Sequence, residues 1–239
     1  TWLAPSDPDL EVVPPGFLRH DLPRPPSPLL GRDEEVAALL ARLAPAGGPA
    51  RLLTLTGAPG VGKTRLALEV GARAEAKFDL PTVWVDLGGV TDPADVSVSV
   101  AMAVAPPAAG GSSILDLAVH ALDRIPTMLV LDNFEQVVDA GPQIGELLAR
   151  VGTLTVLVTS RIALDLYGEH EHRVAPLPVP LEGPSPAVDL FVARAGEVRP
   201  DLDLGPGLHD IAAVCRAVDG LPLAIELAAL RLRDLDLLE

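Results

Sequence analysis

A short apolar run that breaks into a glycine-rich turn and restarts as a helix fixes most of what this chain can become. Leu52-Leu53-Thr54-Leu55-Thr56 reads as a buried strand. Gly57-Ala58-Pro59-Gly60-Val61-Gly62-Lys63-Thr64 follows, and Arg65 to Val70 continues as a helix. The spacing is G-x-x-x-x-G-K-T with a strand before it and a helix after it. Gly57, Gly60 and Gly62 let the backbone approach a ligand where side chains would clash. The amides of Gly60, Val61, Gly62 and Lys63 are expected to wrap a β-phosphate. The helix, opening through Arg65, turns its positive end toward that anion. Lys63 would reach the β- and γ-phosphates as a point charge. Thr64 offers a hydroxyl to Mg²⁺, a hard cation that takes few protein oxygens.

Three further apolar runs end in polar residues. Thr82 to Asp86 is a second strand, Thr127 to Asp132 a third and Leu154 to Thr159 a fourth. The third and fourth are almost wholly apolar, as strands covered on both faces should be. His172-Arg173-Val174 is a weak fifth. Helical patterns lie between them: Asp33 to about Leu43, Lys63 to about Lys77, Pro93 to Ala105 and Ser112 to Leu122. A stripe of Phe134, Val137, Val138, Ile144, Leu147, Leu148 and Val151 marks one more helix. Alternating strands and helices predict an α/β fold: a five-stranded parallel sheet with right-handed crossovers and helices on both faces.

The chain divides by composition. Residues 1–28 are a proline-rich, extended linker, in which Trp2, Leu3, Phe17 and Leu18 are candidates to pack on the body. Residues 29–180 form the nucleotide-binding domain. Residues 181–239, past a proline-rich hinge, are purely helical and form a small lid subdomain. A net charge of −15 argues against a nucleic-acid surface on this piece. The single cysteine, Cys215, excludes an internal disulfide and reads as a buried thiol. No apolar stretch reaches membrane-spanning length, no signal peptide is visible, and a cytoplasmic location is expected. The start at Thr1 without Met, and the end in a charged helical segment, are read as the bounds of a piece of a longer protein.

Asp132 stands at the carboxyl end of a buried strand, where open α/β sheets bind ligands, and is the expected acid behind Mg²⁺ together with Thr64. The position after it, where an acid often polarises the attacking water, is Asn133, and an amide is no general base. Glu135 is either that base in a shifted geometry or a helix N-terminal charge. Arg161, after the fourth strand, is expected beside the phosphate loop, where a guanidinium reaches a γ-phosphate; Thr159 and Ser160 carry weaker support. His170 and His172 share one strand face but have too few companions for a metal site.

The ordered set of Leu30-Gly31-Arg32-Asp33-Glu34-Glu35, Gly57 to Thr64, Leu129 to Glu135, Val158-Thr159-Ser160-Arg161 and Gly220-Leu221-Pro222-Leu223 resembles the STAND signalling ATPases. It is most similar to the NB-ARC-like modules of actinobacterial transcriptional regulators. The resemblance implies a switch that binds ADP at rest and ATP with Mg²⁺ when active, hydrolyses slowly, and forms homo-oligomers under nucleotide control. It implies effector and sensor domains attached outside these residues, with a winged-helix domain beyond the lid. By position, Leu30 and Arg32 would lie against the nucleotide, Pro222 would pack on the adenine, and Arg161 would sense the γ-phosphate. Lys63, Asp132, Arg161 and Glu135 form the catalytic set. Two other classes stay open. One is a scaffold that holds ADP and hydrolyses nothing, favoured by Asn133. The other is a conventional motor or loader ATPase, which the Gly-Leu-Pro-Leu element argues against.

Overall fold

The apolar runs assemble as a single parallel sheet. In a computed structural model that describes residues 22–43, 50–104, 113–181 and 185–233, five strands form. They are β1 (Leu52–Thr56), β2 (Thr82–Asp86), β3 (Thr127–Asp132), β4 (Leu154–Thr159) and β5 (Glu169–Arg173). Their order is β2-β3-β4-β1-β5 and every neighbouring pair is parallel. The three central strands, β1, β3 and β4, are buried at every residue, which is why their sequences run apolar rather than alternate. The edge strand β5 reads Glu-His-Glu-His-Arg and is half-exposed; charge on an edge discourages further strand pairing. It begins at Glu169, earlier than the His172 expected from sequence. Its residues have no apolar alternation to announce them, and pairing with β1, Leu52 opposite Glu169, decides its extent.

Helices cover both faces. On one, α1 (Asp33–Arg42) and α2 (Lys63–Phe78) bury Val36, Leu39, Leu66, Val70 and Ala74 against Leu53, Leu55, Met128, Val130 and Leu157. On the other lie α3 (Asp95–Val104), α4 (Ile114–Leu122) and α5 (Gly141–Arg150), which with Phe134 close over Leu52, Leu129, Leu131, Val156 and Val158. Each fully buried Leu or Val contributes about 1.5–3 kcal/mol by leaving water, so these layers hold the sheet. α4 starts where Ser113 accepts the Asp116 amide at 3.1 Å, a side-chain cap on the exposed helix end. The membrane expectation was tested only for helices: among the described residues none is long and apolar enough to span a bilayer.

The stripe from Phe134 is not one helix. It opens as two 3-10 turns, Phe134–Gln136 and Val138–Ala140, before α5 begins. Asn133 holds a left-handed φ of 62° and Val137 sits at −133°, which interrupts any continuous α-helix. Pro142 then occupies the first turn of α5, where its missing amide costs nothing.

The lid has its own core. Helices α6 (Pro186–Val198), α7 (Leu208–Ala217) and α8 (Pro222–Leu230) enclose Phe191, Ile211, Cys215, Ile225 and Leu232. The Cys215 thiol is fully buried against the Ala187 carbonyl at 3.5 Å, and burial pushes its pKa up. The segment 22–28 runs along α2, where Arg65 donates to the Ser27 carbonyl at 2.6 Å and the Pro28 carbonyl at 3.2 Å. Trp2, Leu3, Phe17 and Leu18 lie outside the described residues.

The segment leaving β5 packs into the lid core at Leu177 and meets α8 through a turn that only glycine suits. Gly220 has φ 67°, its carbonyl accepts the Leu177 amide at 2.9 Å, and a Cβ there would stand 2.1 Å from the Leu177 carbonyl oxygen. The Gly220→Ala variant combines a left-handed backbone with a backbone clash. It is expected to lose about 1–3 kcal/mol of stability, read as a lower urea midpoint, with the lid detaching first in hydrogen exchange of α7 and α8.

Candidate functional site

Parallel pairing sets the carboxyl ends of β1, β3 and β4 side by side, the edge at which such sheets bind ligands. β1 runs into the glycine-rich turn, β3 ends in Asp132 and β4 ends in Thr159. The Thr64 hydroxyl, on the first turn of α2, donates to Asp132 Oδ1 at 2.9 Å. The Thr159 hydroxyl donates to the same oxygen and accepts the Asn133 amide at 3.0 Å. Burial pushes the Asp132 carboxyl up, and the two threonine hydroxyls pull it back. Thr64 and Asp132 are hard oxygen groups of the kind that suit a cation such as Mg²⁺, and they meet each other directly.

Lys63 folds back over its own turn. Its Nζ donates to the Gly57 carbonyl at 2.9 Å and the Ala58 carbonyl at 3.2 Å. Partial burial draws its ammonium below the usual lysine range, and the carboxylates of Glu135 and Asp132 oppose that. Gly60 and Gly62 hold φ values of 75° and 99°. Gly57 and Val61 stand behind this surface. The Val61 side chain is in the core, and its amide meets the Ala58 carbonyl at 3.3 Å within the turn.

In front of these groups lies a cavity of about 450 Å³, within the range of small-molecule sites. Gly60, Gly62, Lys63, Thr64, Asn133, Glu135 and Arg161 line it with polar groups. Leu29, Leu30, Leu177, Leu190 and Pro222 give it apolar walls, with Arg194 and Glu226 also lining it; Pro222 stands against Gly62 of the turn. The lid therefore supplies one wall. Its helix α8 docks directly on the turn, with the Leu223 amide donating to the Gly60 carbonyl at 3.2 Å.

The structure brings most sequence-derived residues to this cavity and gives several a second occupation. Arg32 lines it, yet its guanidinium is buried and committed: Nη2 donates to the Val61 carbonyl at 2.9 Å and the Ala175 carbonyl at 2.8 Å, and Nη1 pairs with Glu35 at 2.6 Å. Its visible work is to pin the turn to the strand-β5 exit. Glu35 also meets His172 Nε2 at 2.7 Å. Arg65 holds the 22–28 segment. Arg161 is 62 % exposed and its Nε contacts Glu135 Oε1 at 3.2 Å. Glu135 Oε2 is buried without a partner. Sequence reasoning missed two features. Arg194 pairs with Glu226 at 3.0 Å across α6 and α8. Asp86 lies opposite Asp132 in register and accepts the Asn133 side-chain amide at 3.2 Å. A strand-end acid was the one available signal for Asp86.

Residues 28–159 match the family described as the AAA ATPase domain. An uncharacterized protein of Mycobacterium tuberculosis is 41% identical over 183 residues, 76% of this chain and 46% of the relative. A candidate HTH-type transcriptional regulator of the same species is 39% identical over 193 residues, 79% of this chain and 21% of the relative. The regulatory protein AfsR of Streptomyces griseus is 33% identical over 212 residues, 84% of this chain and 20% of the relative. The chain thus spans less than half the length of these relatives. Among solved structures, a STAND protein with a tetratricopeptide-repeat sensor from Pyrococcus horikoshii superposes with a TM-score of 0.51 at 18% identity, covering 87% of this chain and 30% of that one. The Aeropyrum pernix ORC2 protein, solved in ADPNP-ADP complexes, gives 0.62 at 17% identity, covering 90% of this chain and 64% of that one.

The buried Asp132 carboxyl yields a pH test. Burial raises its folded-state pKa above that of a free aspartate, so between the two values the native state holds more protons than the unfolded one. Its contribution to stability is therefore greatest below the unfolded pKa and falls as pH rises through the folded one. The stability of the ligand-free protein relative to Asp132→Asn is expected to decline as pH rises from about 3.8, measured by urea denaturation at a series of pH values.

Proposed function

The chain belongs to the AAA ATPase domain family, and on that premise we propose that it is the nucleotide-binding core of a signal-transduction switch that regulates an attached, transcriptional effector. One observation carries the reading. Thr64, on the wall of a cavity that the helical lid completes, donates to the buried Asp132 just behind it, beside the glycine-rich turn. A switch needs a ligand that touches two bodies, and this cavity has one wall from each. Support for the effector comes from the names of the relatives, which include regulators far longer than this chain.

ADP and ATP are the ligands proposed. The phosphates would sit under Lys63 and the amides of Gly60, Gly62 and Lys63, with the Val61 amide released from the Ala58 carbonyl if it is to join them. The base would lie among the apolar walls of Leu30, Leu177 and Pro222. Thr64 and Asp132 would hold Mg²⁺, whose chemistry is to neutralise charge between β- and γ-phosphate oxygens. Arg161, exposed at the rim, is free to exchange Glu135 for a γ-phosphate. Resting ADP, active ATP and nucleotide-controlled homo-oligomers complete the NB-ARC-like version of this reading. The alternative, a scaffold that keeps ADP and hydrolyses nothing, is favoured by Asn133 in the position after Asp132.

Lys63→Ala removes the cation facing the phosphates and leaves the hydrophobic layers untouched. Calorimetric titration is expected to find ATP and ADP binding abolished with unchanged far-ultraviolet circular dichroism; wild-type affinity would overturn the nucleotide assignment. Arg161→Ala separates the two nucleotides. Losing charge-assisted hydrogen bonds to a γ-phosphate should weaken ATP by about 1.5–3 kcal/mol, roughly tenfold to a hundredfold, with ADP affinity unchanged. Equal losses for both would place the γ-phosphate contact elsewhere.

A further inference from the structure

The short segment ahead of Arg32 touches both bodies. Leu22 packs over Gly71 of α2, where a Cβ would stand 3.3 Å from its methyl group. Ser27 is half-buried, and its hydroxyl faces two guanidinium groups. Arg65, from α2, approaches it at 3.4 Å through Nη1 and Nη2, and Arg194, from α6, donates to it through Nη2. Leu29 then packs on the core of the sheet domain and Leu30 on the core of the lid. Gly31, with φ 69°, abuts Pro186 at the head of α6, where a Cβ would lie 2.2 Å from the proline Cβ.

The two grips on this segment differ in kind. Arg65 holds main chain, donating to the Ser27 carbonyl at 2.6 Å and the Pro28 carbonyl at 3.2 Å. Arg194 reaches the segment through the Ser27 hydroxyl. Its other donors serve Glu226 on α8 at 3.0 Å and Glu197 at 2.5 Å. Arg194 is mostly buried, so those two carboxylates aim it at Ser27 from within the lid. The segment is thus bolted to the sheet domain and latched to the lid. A lid that lifts must break the Arg194–Ser27 bond and uncover Leu30, while Arg65 keeps the segment on α2. Pro28, Leu29 and Leu30 also line the cavity beside Arg65 and Arg194, so the latch stands in the wall against which a ligand would rest.

We propose, on the nucleotide-binding reading above, that residues 27–31 latch the lid to the sheet domain through the Ser27 hydroxyl, and that a bound nucleotide is released when this latch opens. The glycine-rich turn fixes where the ligand binds; Ser27 fixes how long the bodies around it stay together. Ser27 is a positioning residue, acting through Arg194 on the lid wall of the cavity. In Ser27→Ala, Arg194 keeps Glu226 and Glu197, so the lid core stays intact and only the tie between the bodies is lost. Losing a hydrogen bond from a charged donor multiplies the open population about tenfold or more.

The test begins on the ligand-free chain. Hydrogen exchange is compared for wild type, Ser27→Ala and Ser27→Thr; threonine keeps the hydroxyl and suits the extended backbone that a following proline favours. Ser27→Ala is expected to speed exchange of α6 and α8 about tenfold, with α2, β1 and β3 unchanged, and Ser27→Thr to restore the wild-type pattern. Exchange of α6 and α8 within twofold of wild type overturns the proposal. So does unfolding of Ser27→Ala, or an increase shared equally by α2, β1 and β3, since either marks a general loss of stability. The second readout is release of a fluorescent ADP analogue from the loaded chain, chased with excess ADP in a stopped-flow mixer. Ser27→Ala is expected to raise the release rate about tenfold and Ser27→Thr to return it to the wild-type value. Loosened lid helices with an unchanged release rate overturn the control of the ligand by the latch. A wild-type chain that binds no analogue sinks the nucleotide reading instead, and faster exchange confined to α6 and α8 then still upholds the latch.

Discussion

One buried oxygen holds the site together. Asp132 Oδ1 accepts hydroxyl hydrogens from Thr64 on α2 and Thr159 at the end of β4, so a single carboxylate joins three segments that are far apart in sequence. The arrangement requires β3 to lie between a strand that ends beside it and a turn that passes over it, which the order β2-β3-β4-β1-β5 provides. Removing a carboxylate from water opposes its charge; the two hydroxyls offset part of that cost without adding a counter-charge. A site built this way is organised yet electrostatically unsatisfied, which is the condition in which a cation is attracted most strongly.

The same economy governs the neighbouring groups. Arg32 spends donors on the Val61 and Ala175 carbonyls and on Glu35, and so fastens the glycine-rich turn to the chain leaving β5. Arg65 fastens the 22–28 segment to α2. Asn133 fastens Asp86 to Asp132. Three residues near the cavity thus act by fixing the backbone or the carboxylates around it. Lys63 lies over its own turn, and Arg161 is mostly exposed beside Glu135.

Much of this was legible in the sequence. The Gly57 to Thr64 turn needs its glycines and its lysine wherever it occurs, so local chemistry identifies it. The central strands are apolar at nearly every position because both faces are covered, so composition alone marks them. Asp132 followed from its place at a strand end. What escaped was set by tertiary pairing. β5 has no apolar rhythm and exists because β1 offers it an edge. The helix expected from Phe134 begins as 3-10 turns because Asn133 takes a left-handed backbone angle, which no periodicity announces. The Arg194–Glu226 pair joins two lid helices and could be seen only once they packed. Arg32 was expected against a ligand, whereas its fastening role depends on Ala175 passing within reach.

The contact between Gly60 and Leu223 carries a consequence for timing. The Leu223 amide bonds to the Gly60 carbonyl, and a Cβ on Gly60 would fall 2.9 Å from the Leu223 Cβ. The lid therefore rests on the very turn that would face a phosphate, with no room for anything between them. A ligand in the neighbouring cavity would touch both bodies, and parting them would loosen one side of its grip. Its dwell time would then depend on how often the bodies separate as well as on its own bonds. Two ligands of equal affinity could thus persist for very different periods if one of them braces the lid and the other does not, and the molecule would keep a short record of what it last held.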